Sequence, residues 1–179
     1  IVVAIVLLQQ LYAGLMQVAV AENYQPEQPI KFSHALHAGT NQIDCNYCHY
    51  GARKGKHSNI PSASVCMNCH MQIQEGPKYG TEEIAKIYAA VGWDPETYTY
   101  KEDYETKPVK WVRIHNLPDL AYFNHAQHVT AGQIECQTCH GPIEEMEEVY
   151  QYSSLTMGWC INCHRETEVQ VESNDYYAE

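Results

Sequence analysis

Residues 1–21, IVVAIVLLQQLYAGLMQVAVA, carry no charged side chain. A run of that length suits a helix that crosses a bilayer, and its three Gln do not exclude one. A secretory signal peptide is the rival reading, because Ala19-Val20-Ala21 resembles a cleavage site. The chain retains the segment, so the expectation is a transmembrane anchor helix over 1–22. Further along, TEEIAKIYAAVG at 81–92 places Ile84, Ile87, Tyr88 and Val91 on one apolar stripe, which predicts a packed helix. Thr81 would cap it, Glu82 and Glu83 suit its positive end, and Gly92 would end it. The polar, Tyr-rich stretch 94–108 has Pro near both ends and predicts a surface connection. After Arg165 the chain turns acidic and poor in large apolar residues, which predicts an extension.

Composition makes the core the problem. There are 2 Phe and 3 Trp against 14 Tyr, 10 His and 8 Cys, and from residue 22 onward the only leucines are Leu36, Leu117, Leu120 and Leu155. Domains of this size ordinarily fill their interiors with Leu, Ile, Val and Phe. Something other than side chains is expected in the middle. The net charge of −11, from 11 basic and 22 acidic residues, argues against nucleic-acid binding by a basic surface. It would suit a basic soluble partner, although most charge runs are simply solvated faces.

An internal repeat organises the rest. FSHALHAGTNQIDCNYCH begins at Phe32 and FNHAQHVTAGQIECQTCH at Phe123, so matched positions lie 91 apart. Each half closes on a second motif, VCMNCH at 65–70 and WCINCH at 159–164, and the second half has three extra residues before it. The organisation expected is an anchor over 1–22, a first repeat over 23–78, a linker with one short helix over 79–117, and a second repeat with its acidic tail over 118–179.

All 8 Cys fall in four C-x-x-C pairs: Cys45/Cys48, Cys66/Cys69, Cys136/Cys139 and Cys160/Cys163. A disulfide framework does not require the same two-residue gap four times. A redox C-x-x-C is usually single and opens a helix in a strand–helix pattern, which is absent. Zinc held by two sets of four thiolates is the serious rival. The next residue decides: His49, His70, His140 and His164 each follow a second cysteine directly. Zinc ribbons do not need that His, whereas covalent haem attachment does. The reading is haem c, four in this chain, tethered by thioethers and ligated by the adjacent His. Four flat apolar macrocycles would also replace the missing core, and such a domain should not fold without them.

Six His remain for the sixth iron position, whose occupant separates catalysis from electron transfer. His34/His37 and His125/His128 form H-x-x-H pairs at identical repeat positions, and residues three apart in a helical turn share a face. They are the distal candidates. His115 has no repeat counterpart, position 24 being Tyr, and is a candidate fifth. His57, in the basic stretch RKGKH, and Met157, three residues before Cys160, are weaker candidates. Solvation is the ordinary reading of the first and packing that of the second. If every iron is six-coordinate, the chain is an electron carrier with no catalytic site of its own.

The run HAGTNQIDCNYCH…NIPSASVCMNCH, followed by KPVKWVRIHNLPDLAYFNHAQHV…CQTCHGPIEEMEEVYQYSSLTMGWCINCHRE, resembles the membrane-anchored multihaem cytochrome subunit of bacterial alternative complex III. The likeness covers nearly all of 24–168 and extends well beyond haem attachment. It implies a mostly α fold with long loops, in which an N-terminal transmembrane helix precedes a haem-cored, class III-like multihaem cytochrome c domain of two dihaem halves. It further implies a subunit of a respiratory quinol:electron acceptor oxidoreductase. Its partners would be an iron–sulfur subunit, integral membrane quinol-binding subunits and the lipid bilayer, with a monohaem cytochrome c or terminal oxidase as acceptor. Members usually carry five haems. Four motifs stand here, so either a fifth lies beyond Glu179, with His115 as its distal ligand, or this member lacks it; the first alternative fits better. The runner-up is a stand-alone tetrahaem membrane-anchored quinol dehydrogenase. Because haem c is attached after export, the haem domain is expected on the periplasmic side of the inner membrane, held by a single pass.

Overall fold

In the computed structural model, which describes residues 1–168, helix α1 covers Val2–Met16. Its 15 residues at 1.5 Å rise give about 22 Å, short of the roughly 30 Å hydrocarbon core. Among the described residues no helix is long and apolar enough to cross a membrane. The transmembrane helix expected over 1–22 is therefore corrected to a shorter, exposed apolar helix. The cause is local. The Gln17 N–H turns back to the Gly14 carbonyl at 3.2 Å, and Ala19 takes φ 66°, which no right-handed helix can contain. The absence of charge measured hydropathy correctly and helix length incorrectly.

The remaining elements are short helices joined by long irregular segments: α2 Cys45–Cys48, α3 Ala63–His70, α4 Glu82–Val91, α5 Cys136–His140 and α6 Met157–Glu166. The H-x-x-H segments form π-helical turns, Ala35–Thr40 and Gln127–Ala131. The expected linker helix is α4. Thr81 is its N-cap without a side-chain hydrogen bond, and Gly92 ends it at φ 76°. That left-handed geometry, with the Tyr104 ring packed where a Cβ would stand, calls for glycine. The 94–108 connection is a loop except where Trp93–Asp94 (β1) pairs antiparallel with Thr99–Tyr100 (β2). Most of the acidic tail expected after Arg165 lies outside the described residues.

The side-chain core is small and off-centre. Ile30, Met67, Ile84, Ile87, Tyr88 and Trp93 form it, joining α3 to α4 and the start of the linker. Tyr88 donates its hydroxyl to the His70 carbonyl at 2.6 Å, so α4 fixes the end of α3.

The halves dock through reciprocal contacts that obey the 91-residue offset. Ala35 N–H donates to the Met146 carbonyl at 3.0 Å, and Ala126 N–H to the Gly55 carbonyl at 3.1 Å. Within each half, Ile43 N–H meets the His37 carbonyl and Ile134 N–H the His128 carbonyl, both at 3.0 Å. Gln42 and Gln133 share left-handed φ values of 54° and 52°. Similar local sequence gives matching turns, and the two copies face each other through a pseudo-two-fold exchange of hydrogen bonds.

Candidate haem-binding site

Each C-x-x-C pair lies in one helical turn, in α2, α3, α5 and α6, so its two thiols share a face. Asp44 caps α2 by accepting from Asn46 N–H at 2.7 Å, and Thr156 caps α6 by accepting from Trp159 N–H at 3.4 Å. None of the eight cysteines is in a disulfide. Burial pushes the thiols of Cys45, Cys48 and Cys66 up. Burial together with the Cys163 thiol raises Cys139 to about 11. Among the described residues no group of three or more His, Cys, Asp or Glu side chains is gathered as a metal site, so the zinc arrangement is not built here.

The histidines meet in four pairs. His34 faces His49 with ring centroids 6.5 Å apart and planes 5° apart. His125 faces His140 at 6.5 Å and 9°. His37 faces His70 at 6.2 Å and 53°, and His128 faces His164 at 5.9 Å and 73°. Each pair joins one His of an H-x-x-H turn to one His that follows a tether. Two metal–imidazole bonds of about 2 Å, plus about 1 Å from each nitrogen to its ring centre, give a span of roughly 6 Å. The pairs are spaced as two imidazoles on one iron require.

Ring nitrogens away from that gap are tied down. The Nδ1 atoms of His37, His49, His70, His125 and His128 lie 2.7–2.9 Å from the carbonyls of Ser33, Asn59, Ile73, Lys56 and Asn124. A carbonyl can only accept, so Nδ1 carries the proton and Nε2 keeps its lone pair for a metal. Burial lowers the pKa of His34 to about 4 and of His140 to about 3, with His49 and His115 respectively as the next contributors. Both are neutral at physiological pH, as ligation demands. The buried Nδ1 of His34 has no hydrogen-bond partner among the described residues.

Phe32 and Phe123, the only phenylalanines in the chain, hold these turns. Phe32 stacks on His37 at 4.2 Å and meets His34 edge-on at 4.9 Å. Phe123 does the same to His128 and His125 at 4.4 and 4.8 Å. The doubled F-x-H-x-x-H lead-in was the signal for this role, but spacing alone does not say what a Phe packs against. The other candidates sit apart. His57 is exposed, and Met157 is 65% exposed at the first turn of α6. His115 contacts His140, with Nε2 3.1 Å from the His140 Nδ1.

Four C-x-x-C-H tethers, each with a second imidazole facing its His across an iron-sized gap, define the class: a multihaem c-type cytochrome that carries haem c. Two similarities to known proteins support that class. Residues 121–176 match the family described as cytochrome c7 and related cytochrome c. Over 161 aligned residues the chain is 26% identical to the menaquinone reductase multiheme cytochrome c subunit of Nitratidesulfovibrio vulgaris (strain Hildenborough), spanning 78% of this chain and 69% of that protein.

Proposed function

We propose that this chain is the electron-transfer subunit of a quinone-linked respiratory complex and that it holds four haems c. The observation that carries the reading is the set of four imidazole pairs at 5.9–6.5 Å, one pair for each tether. His49, His70, His140 and His164 would be the proximal ligands, and His34, His37, His125 and His128 their distal partners in that order. Haem c, when bound, supplies reversible one-electron chemistry. With two imidazoles on every iron, the chain leaves no metal position for a substrate.

The tethers form a row. The Cys48 thiol is within electrostatic reach of Cys66 and Cys69, the Cys45 thiol of Cys136, and the Cys139 thiol of Cys160 and Cys163. Their spatial order is thus 66/69, 45/48, 136/139, 160/163. The pseudo-two-fold contact between halves falls at the centre of the row, and its two ends would serve a donor and an acceptor. The quinone link rests on the menaquinone reductase relative and on the likeness to the alternative complex III subunit. On this reading an iron–sulfur subunit delivers electrons, membrane subunits bind quinol, and a cytochrome c or terminal oxidase accepts. Covalent attachment of haem after export puts the domain on the periplasmic side.

A haem stain on a denaturing gel, with a pyridine haemochrome count, tests the core of the proposal. Four covalent haems per chain are expected, and a colourless band would end it. Quinol should reduce the chain within its intact assembly and not in isolation. Quinol oxidation by the isolated chain would assign a stand-alone dehydrogenase instead.

A further inference from the structure

The duplication provides an internal control for one residue. His49 and His140 occupy the same repeat position, face His34 and His125 at the same 6.5 Å, and have ring planes within 9° of their partners. They differ on the far side of the ring. His49 Nδ1 meets the Asn59 carbonyl at 2.7 Å. His140 Nδ1 meets another imidazole, the Nε2 of His115, at 3.1 Å, with ring centroids 4.3 Å apart and planes 80° apart.

His115 is held in place by contacts of its own irregular segment. Gln28 makes a two-way amide pair with Val112, accepting its N–H at 2.9 Å and donating to its carbonyl at 3.0 Å. Arg113 Nε donates to the His115 carbonyl at 2.9 Å. The fully buried Gln151 accepts the Asn116 N–H at 3.0 Å. Three anchors within five residues fix one imidazole against the edge of another.

We propose that His115 is a positioning residue for His140: it accepts the His140 Nδ1 proton, sets the tautomer and ring orientation of that ligand, and lowers the reduction potential of the haem tethered by Cys136 and Cys139. The inference rests on the haem reading above. A ligand whose N–H donates to an acceptor becomes more basic and favours ferric over ferrous iron. Every other acceptor found for these rings is a backbone carbonyl, which no substitution removes. Here the acceptor is a side chain, so one haem of the four can be tuned alone. The repeat counterpart of His115 is Tyr24, so the device belongs to one half.

The test uses the full chain with its haems attached, as His115→Phe, which keeps the ring volume but cannot accept, and His115→Gln, whose amide oxygen can. Haem content is counted first, then the midpoints are measured by potentiometric titration with optical and EPR detection. His115→Phe should keep four low-spin haems and move one midpoint in the positive direction, with three unmoved, while His115→Gln moves it part of the way back. If His115→Phe does not fold, His115→Leu is read the same way. Four unchanged midpoints at full haem content would overturn the proposal. So would a high-spin ferric signal or new carbon monoxide binding in the variant, since either outcome makes His115 an iron ligand. Wild-type chain without covalent haem would instead sink the broader reading.

Discussion

Replacing His37 with Ala tests the ligand pairing most directly. The structure sets His37 against His70, not against the nearer tether His49, so the iron opened should be the one held by Cys66 and Cys69. One haem in four should become five-coordinate, giving one high-spin ferric centre and one carbon monoxide equivalent per chain. The ring angles identify which haem it is. Nearly parallel imidazole planes separate the two iron orbitals that interact with the ligands and give a rhombic low-spin EPR signal. Crossed planes bring those orbitals close in energy and give a signal with one very large g value. Two pairs are nearly parallel, at 5° and 9°, and two are crossed, at 53° and 73°. Wild-type protein should therefore show two haems of each class. In His37→Ala the crossed class should fall from two to one, with the parallel class untouched. His34→Ala should do the reverse. Loss of a rhombic signal in His37→Ala, or no high-spin centre at all, would refute the pairing.

Other outcomes follow from the same contacts. Phe123→Ala removes two ring contacts, on His125 and His128, worth about 1–3 kcal/mol together; thermal melts should show this loss, and Phe32→Ala should match it if the repeats are equivalent. Gly39→Ala drives a Cβ into the Glu144 carbonyl, and overpacking of that kind costs about 1–3 kcal/mol; an unchanged denaturation midpoint would mean that the two halves do not dock there. Glu83 accepts from Lys31 N–H at 2.8 Å and Lys86 Nζ at 2.7 Å. Burial works against its ionisation, but the Lys86 and Lys31 hydrogen bonds win and hold the carboxyl below its usual range. Its folded pKa is depressed, so the stabilisation is present above the ordinary carboxylate pKa and is lost as pH falls through the folded value. Glu83→Gln should cost about 1 kcal/mol at neutral pH, and melts in acid should show the difference closing; a gap that does not change with pH would remove the charge from the explanation.

Much of the chemistry was legible in one dimension because covalent attachment is written in consecutive residues. C-x-x-C-H needs only one helical turn to bring two thiols and a His together, and four copies left little room for another reading. The 91-residue offset likewise announced the duplication, and the stripe Ile84, Ile87, Tyr88, Val91 announced α4. The N-terminal segment misled because a charge-free run reports hydropathy and not where the backbone stops being helical. That limit is set at Gln17 and Ala19 by backbone geometry.

Tertiary structure decided which imidazole faces which. His34 and His37 are three residues apart, yet their partners, His49 and His70, lie at the ends of different helices. The choice depends on how a π-helical turn splays two side chains and on where α2 and α3 come to rest, and neither is written locally. The same holds for His115, which lies 25 residues from His140 and meets it where two glutamine amides and an arginine pin its irregular segment. Sequence by itself determined the haem-attachment pattern, four C-x-x-C-H motifs in a duplicated frame, because that pattern is local. The fold alone decided which histidine rings face one another and that His115 meets His140, because those depend on contacts between distant segments.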